Sequence, residues 1–384
     1  MKVSSALFLA IHASAIRQKH TFAALLMICI SLSASAQDPI LSQFYINRLY
    51  LNPAYAGVNR DLTIGVVNRQ QWTNLPGPHS ITLATADIGC PTSGLGFGLR
   101  LFDHIVGPAG YHKTDFATSV SVNIPGFFSR NWPFRQMRKA KYLIGAGLQY
   151  GLAQKRIDWS KLVFSDQIDP FQGIVSPTSV LNIGNDVSNL THDLSAGILF
   201  RGELSREGSF FSLGFSGFHL NRPRETMIGL DHRIPTRYTA HFFTHFLLSS
   251  PYRNRNQHYL SLGYVRHWQS TLASNAVHLS TNFGDHVLVG LGLRSELYPL
   301  VDRRVESLIF NLGYQFTGFT LTYSYDIVLS ALGPQNTAGT HEFGLVYRFE
   351  NVYFCRERSI RKKAQARCLL IDRQTRGAFD LFNF

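Results

Sequence analysis

Alternate residues change character along most of this chain, in segments of about ten. In Gly94 to Phe102 the set Leu95, Phe97, Leu99 and Leu101 alternates with Gly94, Gly96, Gly98 and Arg100. Residues 141–150 set Tyr142, Ile144, Ala146, Leu148 and Tyr150 against Leu143, Gly145, Gly147 and Gln149. In 286–294, Val287, Val289, Leu291 and Leu293 oppose Leu288, Gly290, Gly292 and Arg294; in 318–326, Phe319, Leu321, Tyr323 and Tyr325 oppose Thr320, Thr322, Ser324 and Asp326. Successive side chains of a strand point to opposite faces, so these are strands with one apolar face and one small or polar face. A soluble sandwich alternates too, but its polar face carries Lys and Glu rather than Gly and Ser. Charged residues make up 16% of the chain, against about 25% in soluble proteins. No later segment offers eighteen uninterrupted apolar residues. A chain of this kind enters a membrane with its backbone polar groups satisfied in one way, as a closed barrel.

Fourteen such segments can be placed, at about 61–71, 80–88, 94–103, 113–124, 141–153, 192–202, 209–218, 237–248, 258–268, 275–283, 286–294, 306–315, 318–326 and 340–349. The predicted fold class is therefore all-β, a transmembrane antiparallel β-barrel of about 14 strands of the outer-membrane type. An even count returns both ends of the barrel to the periplasm, and the turns at Gly284-Asp285, Thr317-Gly318 and Gly89 to Ser93 fall there. The longest connection, 154–191, falls outside. Two breaks interrupt the pattern: Ile124 to Lys139 is a long, basic, aromatic periplasmic connection, and the outer link after residue 268 is short.

The first 36 residues read as a signal peptide. Arg17, Lys19 and His20 form a basic region, Phe22 to Leu32 is an apolar run, and Ala34-Ser35-Ala36 is a small-residue cleavage site. About eleven apolar-dominated positions fall short of the roughly twenty that span a bilayer as a helix. The mature chain is expected to begin at Gln37 and to reside in the cell outer membrane. Its parts are a periplasmic or lumenal segment (37–60), the barrel (61–350) and a basic periplasmic tail (351–384). The tail holds Arg356, Arg358, Arg361, Lys362, Lys363, Arg367, Arg373 and Arg376 against Glu357, Asp372 and Asp380, a net of +5. That charge suits either a solvated extension or a contact with an acidic partner or anionic surface. Cys29 falls in the signal, leaving Cys90, Cys355 and Cys368. An odd count leaves at least one unpaired within the chain, and pairing of Cys355 with Cys368 stays open.

Residues 37–57, QDPILSQFYINRLYLNPAYAG, are dense in aromatic and turn residues yet follow neither helical nor strand period. With Asn68-Arg69-Gln70-Gln71-Trp72 they resemble the opening of the PorP/SprF family, outer-membrane proteins of the type IX secretion and gliding motility machinery of Bacteroidetes. Residues 157–170, IDWSKLVFSDQIDP, are similar to a segment that family places after the fifth strand. Tyr323-Ser324-Tyr325-Asp326, Gly339-Thr340-His341-Glu342-Phe343 and Leu345-Val346-Tyr347-Arg348-Phe349 are similar to its closing hairpin. The resemblance implies an accessory protein of type IX protein secretion. Such proteins work with periplasmic ring and motor-linked components, and help to export or anchor surface adhesins and enzymes bearing C-terminal sorting domains. It implies partner docking or folding for Gln43, Phe44, Tyr45, Asn52, Pro53, Gly57, Trp72, Asp166, Gln167, His341 and Glu342. Pro53 and Gly57 set turns that other residues resist. The 154–191 connection, with Trp159 and Phe164 among Asp and Ser, has three readings: a loop packed on itself, an interaction knuckle, or a plug folded into the pore.

Motifs for catalysis are sparse. No Gly-x-Ser-x-Gly, P-loop or dinucleotide fingerprint occurs. His241, His245, His267 and His278 lie among many Ser residues, as any His-rich barrel supplies. His241 and His245 are four apart, which in a strand means about 13 Å, too far for one metal ion whose ligand bonds are roughly 2 Å. The expectation is a protein that is not an enzyme, needs no cofactor or metal, and meets outer-membrane lipid but no nucleic acid. A porin-like small-solute channel is the alternative, with Gly-rich inner faces lining water and Arg100, Arg201, Arg294 and Arg348 favouring anions. A surface lipid-modifying enzyme is the third.

Overall fold

The computed structural model describes residues 38–127, 141–176, 179–180, 187–204, 209–226, 231–248, 258–283, 286–298, 301–316, 318–331, 333–350 and 352–355. Residues 1–37, where a signal peptide is expected, the connection 128–140, residues 284–285 and the tail from residue 356, with Cys368, lie outside the described residues. The strands are β1 (Leu62–Gln71), β2 (His79–Gly89), β3 (Leu95–Val106), β4 (Tyr111–Phe127), β5 (Lys141–Arg156), β6 (Ile168–Asp169), β7 (Gly173–Ile174), β8 (Thr191–Glu203) and β9 (Phe210–Phe218). They continue as β10 (Arg224–Thr226), β11 (Asp231–Arg233), β12 (Arg237–Leu247), β13 (Tyr259–Gln269), β14 (Leu272–Phe283), β15 (Val287–Tyr298), β16 (Val301–Phe316), β17 (Phe319–Val328) and β18 (Thr340–Phe349). Fourteen of them close an antiparallel barrel, while β6–β7 and β10–β11 are two-stranded hairpins in the connections. Closure is made by β1 and β18, in register from Leu62↔Phe349 to Gln71↔Thr340.

Each predicted segment corresponds to one barrel strand. The largest displacements have local causes. β4 runs through Pro125, paired with Leu143, although Pro ordinarily marks a strand end. β16 starts at Val301 rather than near 306, because its pairing with β15 passes two irregularities, between Arg294 and Ser295 and between Glu296 and Tyr298. A bulge shifts the face on which the next side chain falls, so strict alternation cannot be followed through it.

The two faces divide as the alternation requires. Leu99, Leu101, Leu148, Leu291 and Leu312 are exposed on the outside, whereas Gly98, Arg100, Gln149, Gly292 and Asn311 are buried within. The outer surface is therefore an apolar skin on a sheet without edges, which is what lipid demands. No helix among the described residues is long and apolar enough to cross a membrane. At one end of the barrel, the near end, β1 begins and β18 finishes. There Cys90, in the turn after β2, is bonded to Cys355, their Cα atoms 5.3 Å apart across 265 residues of sequence. The long connections β5–β8, β9–β12 and β17–β18 lie at the far end.

The interior is packed. Leu41, Phe44, Tyr45, Ile46, Leu51, Ala54, Tyr55 and Val58 form one apolar cluster with Val67, Leu83, Phe102, Leu199, Phe243, Leu288 and Val346 of the wall. The buried core of this protein is thus the contact between its barrel and the segment that precedes it.

Candidate functional site

Residues 39–58 occupy the lumen, and their local structure explains why they carry no period. Ile46 N donates to Gln43 O, a single helical turn covers Arg48–Leu51, and a 3-10 turn covers Pro53–Tyr55. Asn52 caps the second turn, accepting from Ala54 N at 2.9 Å, and its Nδ2 donates to Ile198 O of β8 at 2.9 Å. Pro53 sits at the first position of that turn, where its missing N–H costs nothing. From Leu41 to Val58 every residue but half-buried Tyr50 is buried. A segment enclosed all round has no solvent face, so polar and apolar residues cannot sort by period.

Aromatic contacts fasten the middle. Phe44 stacks on Phe243 at 5.7 Å between ring centres, Tyr45 lies 5.1 Å from His278, and Tyr55 stacks on His241 at 5.4 Å. Tyr45 Oη donates to Asn311 Oδ1 at 3.1 Å. The glycine-rich inner faces form the seat. A Cβ on Gly147 would stand 2.5 Å from Ala54 N, and one on Gly98 2.8 Å from Leu49 Cδ1. Side chains essentially never approach so closely, so these positions are small because the segment lies on them. Gly57 ends the segment with φ +62, and a Cβ there would meet Gly96 Cα at 2.6 Å and Gly89 Cα at 2.7 Å. Both its conformation and its space exclude other residues.

At the other end of the segment a charged cluster clamps it. Glu342 accepts from Ser42 N at 2.9 Å, from Gln43 N at 2.8 Å and from Arg69 Nη1 at 3.0 Å. Ser42 Oγ donates to Asp326 Oδ2 at 2.5 Å and accepts from Arg69 at 2.6 Å and Arg294 at 2.5 Å. Arg69 and Arg294 also reach Asp326 at 3.0 and 3.2 Å. Two guanidinium groups thus face two carboxylates, with the segment's Ser42 hydroxyl and two backbone N–H groups between them. Gln43 adds side-chain bonds to Glu342 O at 2.7 Å, Ser324 and Thr322. Arg294 also lies 3.8 Å from Glu306, and a buried cluster of this kind is tolerable because its charges are paired and hydrogen-bonded.

The structure brings Gln43, Phe44, Tyr45, Asn52, Pro53, Gly57 and Glu342 together in the lumen. It separates the other four. His341, next to Glu342, points outward and pairs with Tyr323 Oη at 2.9 Å. Trp72 begins the β1–β2 loop at φ +56, its ring stacked on His79 at 5.3 Å and its backbone N–H donating to Gly339 O at 2.9 Å. Asp166 and Gln167 organise the far-end connection. Asp166 accepts from Ser179 Oγ at 2.8 Å and Val180 N at 2.7 Å, and Gln167 bridges Phe164 N at 2.8 Å and Ser176 O at 3.2 Å. The β6–β7 hairpin beside them carries Phe171, 96% exposed, and Ile174, 65% exposed. The described residues of this connection stand outside the barrel. Of the three readings of this connection the plug is not the one found, since residues 39–58 fill that space.

Sequence reading missed that Arg69, Arg294 and Asp326 join Glu342 and the segment's Ser42 in one cluster. The available signal was register. Arg69, Arg294 and Asp326 each fall on an inward strand face, where a buried charge is kept by pairing with an opposite one. The arginines proposed to line a channel are likewise engaged: Arg100 pairs with Asp115 at 2.7 Å, and Arg201 lies over the Phe210 ring at 4.8 Å. The buried histidines serve packing, His245 stacking on Phe210 at 4.7 Å and bonding Ser261 at 2.6 Å. Among the described residues no three His, Cys, Asp or Glu gather as a metal site.

Comparison with known proteins gives one family. The family described as type IX secretion system membrane protein PorP/SprF matches residues 33–347. No curated protein matches the chain. Similar solved structures include CdiB from Acinetobacter baumannii, with 9% identity, 75% of this chain and 60% of that one covered, and TM-score 0.40. The Acinetobacter baumannii outer membrane protein Omp33 has 9% identity, coverage of 76% and 99%, and TM-score 0.37. The Ralstonia pickettii toluene transporter TbuX has 12% identity, coverage of 79% and 94%, and TM-score 0.42. The chain spans three fifths of CdiB's length.

Proposed function

The chain belongs to the PorP/SprF family of type IX secretion system membrane proteins, and from that premise we propose that it is a non-enzymatic scaffold of the outer membrane. In this reading it docks periplasmic components of the machinery at its near end, and helps to secrete or anchor surface proteins with C-terminal sorting domains at its far end. Export through a cleaved signal peptide (1–36), with the tail in the periplasm, belongs to the same proposal. The observation that carries it is the filled lumen. Residues 39–58 are held by aromatic stacking, a glycine seat and an ion-paired clamp, an arrangement suited to a rigid platform rather than a water-filled pore. Gln43, Phe44, Tyr45, Asn52, Pro53, Gly57 and Glu342 then act on docking through the segment they hold in place. Asp166 and Gln167 act through the hairpin that presents Phe171 and Ile174, and Trp72 and His341 through the β1 and β18 ends beside them.

Co-purification from outer membranes with a tagged chain tests this. Recovery of type IX ring components or of a sorting-domain protein is expected. Phe171→Ser and Trp72→Ala, each verified by heat-modifiable mobility, are expected to lose the far-end partner and keep the ring. Recovery of barrel-assembly machinery alone, together with large steady conductance in planar bilayers, would replace the scaffold by the small-solute channel.

A further inference from the structure

The lumenal segment has a direction. Its carboxyl end lies at the near end of the barrel. Ala56 O accepts from Ser121 Oγ at 2.5 Å and from Asn123 Nδ2 at 3.3 Å, late in β4, and Gly57 N donates to Asp87 Oδ2 at 3.1 Å, late in β2. Both strands finish at that end. The amino end lies toward the far end. Ser42 and Gln43 are held by Arg69, Asp326 and Glu342, which stand in the far parts of β1, β17 and β18. Before them, Pro39 O accepts from Tyr50 Oη at 2.6 Å, and Tyr50 Oη accepts in turn from Arg237 Nη1 at 3.1 Å. Arg237 is the first residue of β12, directly after the far-end connection β9–β12. Pro39 and Ile40 are half-buried, whereas Leu41 to Leu49 are buried. From Pro39 to Gly57 the chain therefore crosses the barrel once, from the far end to the near end.

We propose that residues 39–58 are threaded through the barrel amino end outward, so that the start of the segment, at Pro39, opens to the cell exterior, opposite the side on which the barrel ladder begins and ends. Placing the far end outside rests on the even strand count, which returns β1 and β18 to the periplasm; the direction of the segment does not. Reverse threading is excluded by covalent structure, since residues 58–61 join Gly57 to the start of β1 at the near end. A second pass of chain has no room, because the inner glycines Gly98, Gly147 and Gly197 already meet Leu49, Ala54 and Asn52. The two ends also hold different strands. The carboxyl end seats on β2 to β5, and the amino end on β17, β18 and β1. Arg69 lies opposite Glu342 in the β1–β18 register, so the amino-end clamp is complete only when those two strands have paired. Closure then encloses a segment whose amino end is already across the membrane. The far-end surface is thus composed of the β6–β7 hairpin and the start of the lumenal segment.

Thiol accessibility in whole cells tests this. In a chain carrying Cys29→Ser and Cys368→Ser, with Cys90 and Cys355 bonded to each other, Pro39→Cys supplies one free thiol and keeps the carbonyl that Tyr50 meets. Two exposed positions mark the sides: Phe171→Cys in the far-end hairpin, and Leu248→Cys just after β12 at the near end. Each variant is checked for heat-modifiable mobility and treated with a sulfonated, membrane-impermeant maleimide, in intact cells and in cells whose outer membrane has been opened. Pro39→Cys is expected to react in intact cells as Phe171→Cys does, and Leu248→Cys only after opening. Ile40→Cys repeats the measurement if Pro39→Cys does not fold. A segment thiol that stays unreactive in intact cells while Phe171→Cys reacts overturns the proposal. Reaction of Leu248→Cys in intact cells, with Phe171→Cys silent, reverses the barrel and overturns the exposure of Pro39 at the cell surface. No arm of the measurement depends on which machinery the barrel serves.

Discussion

Glu342 ties the lumenal segment to the wall through two backbone N–H groups and one guanidinium. Glu342→Gln removes one of the two carboxylates that pair with Arg69. Breaking a buried ionic set in this way costs about 3–5 kcal/mol, and the loss is expected both as a lower denaturation midpoint in detergent and as faster hydrogen exchange at Ser42 and Gln43. Exchange matching the unmodified protein would mean that the clamp does not hold the segment. Asp166, in the far-end connection, gives a pH dependence. Hydrogen bonds from Val180 N–H, the largest influence, and from Ser179 hold its carboxyl below the usual carboxylate range. A depressed folded pKa stabilises the loop at any pH above the unfolded value of about 3.9, and that support is lost as pH falls through the folded pKa. Protection of the Val180 amide is therefore expected to be flat near neutrality and to drop in acid. Asp166→Asn is expected to lack the protection at every pH.

Strands explain the residue choices that composition leaves unexplained. On β5 and β8 the inward glycines Gly145, Gly147 and Gly197 meet Ala54, Pro53 and Asn52, so the segment and those strands are complementary surfaces. Gly147→Val places a Cβ 2.5 Å from Ala54 N and 2.6 Å from Pro53 C and O, backbone atoms with no flexible side chain to yield. The β-ladder of β5 is unaffected by a side chain on its inner face. The variant is expected to remain a heat-modifiable barrel while the segment is displaced, giving ion conductance in planar bilayers above that of the unmodified chain. A silent, stable Gly147→Val barrel would mean that the lumen stays filled by another route. The far-end connection behaves as a separate element. Its turns are closed by Asp158, Asp166 and Gln167 acting on nearby backbone, so substitutions there should leave barrel stability unchanged within about 0.5 kcal/mol.

The whole molecule is a barrel closed twice, once by the β1–β18 ladder and once by the Cys90–Cys355 bond. In the chain-entropy account a loop of 265 residues contributes on the order of 5 kcal/mol. Cys90→Ser with Cys355→Ser is expected to lower the thermal midpoint of the barrel in detergent without changing its strand content by circular dichroism. Fourteen strands, their faces and their even count were legible in the sequence, because lipid outside and a covered inner face act on alternate residues of every strand. Local chemistry sufficed for that. Residues 39–58 were legible as exceptional, but neither their place in the lumen nor their pairing with Gly147, Asp326 and Glu342 could be read from them. Those contacts join positions some 90 to 300 residues apart. So does the disulfide, since three cysteines carry no information on which two will meet at one rim. Alternation is written by the solvent on each side of a strand, residue by residue. The occupant of a barrel's interior is chosen by shape and charge on surfaces that exist only once the barrel has closed.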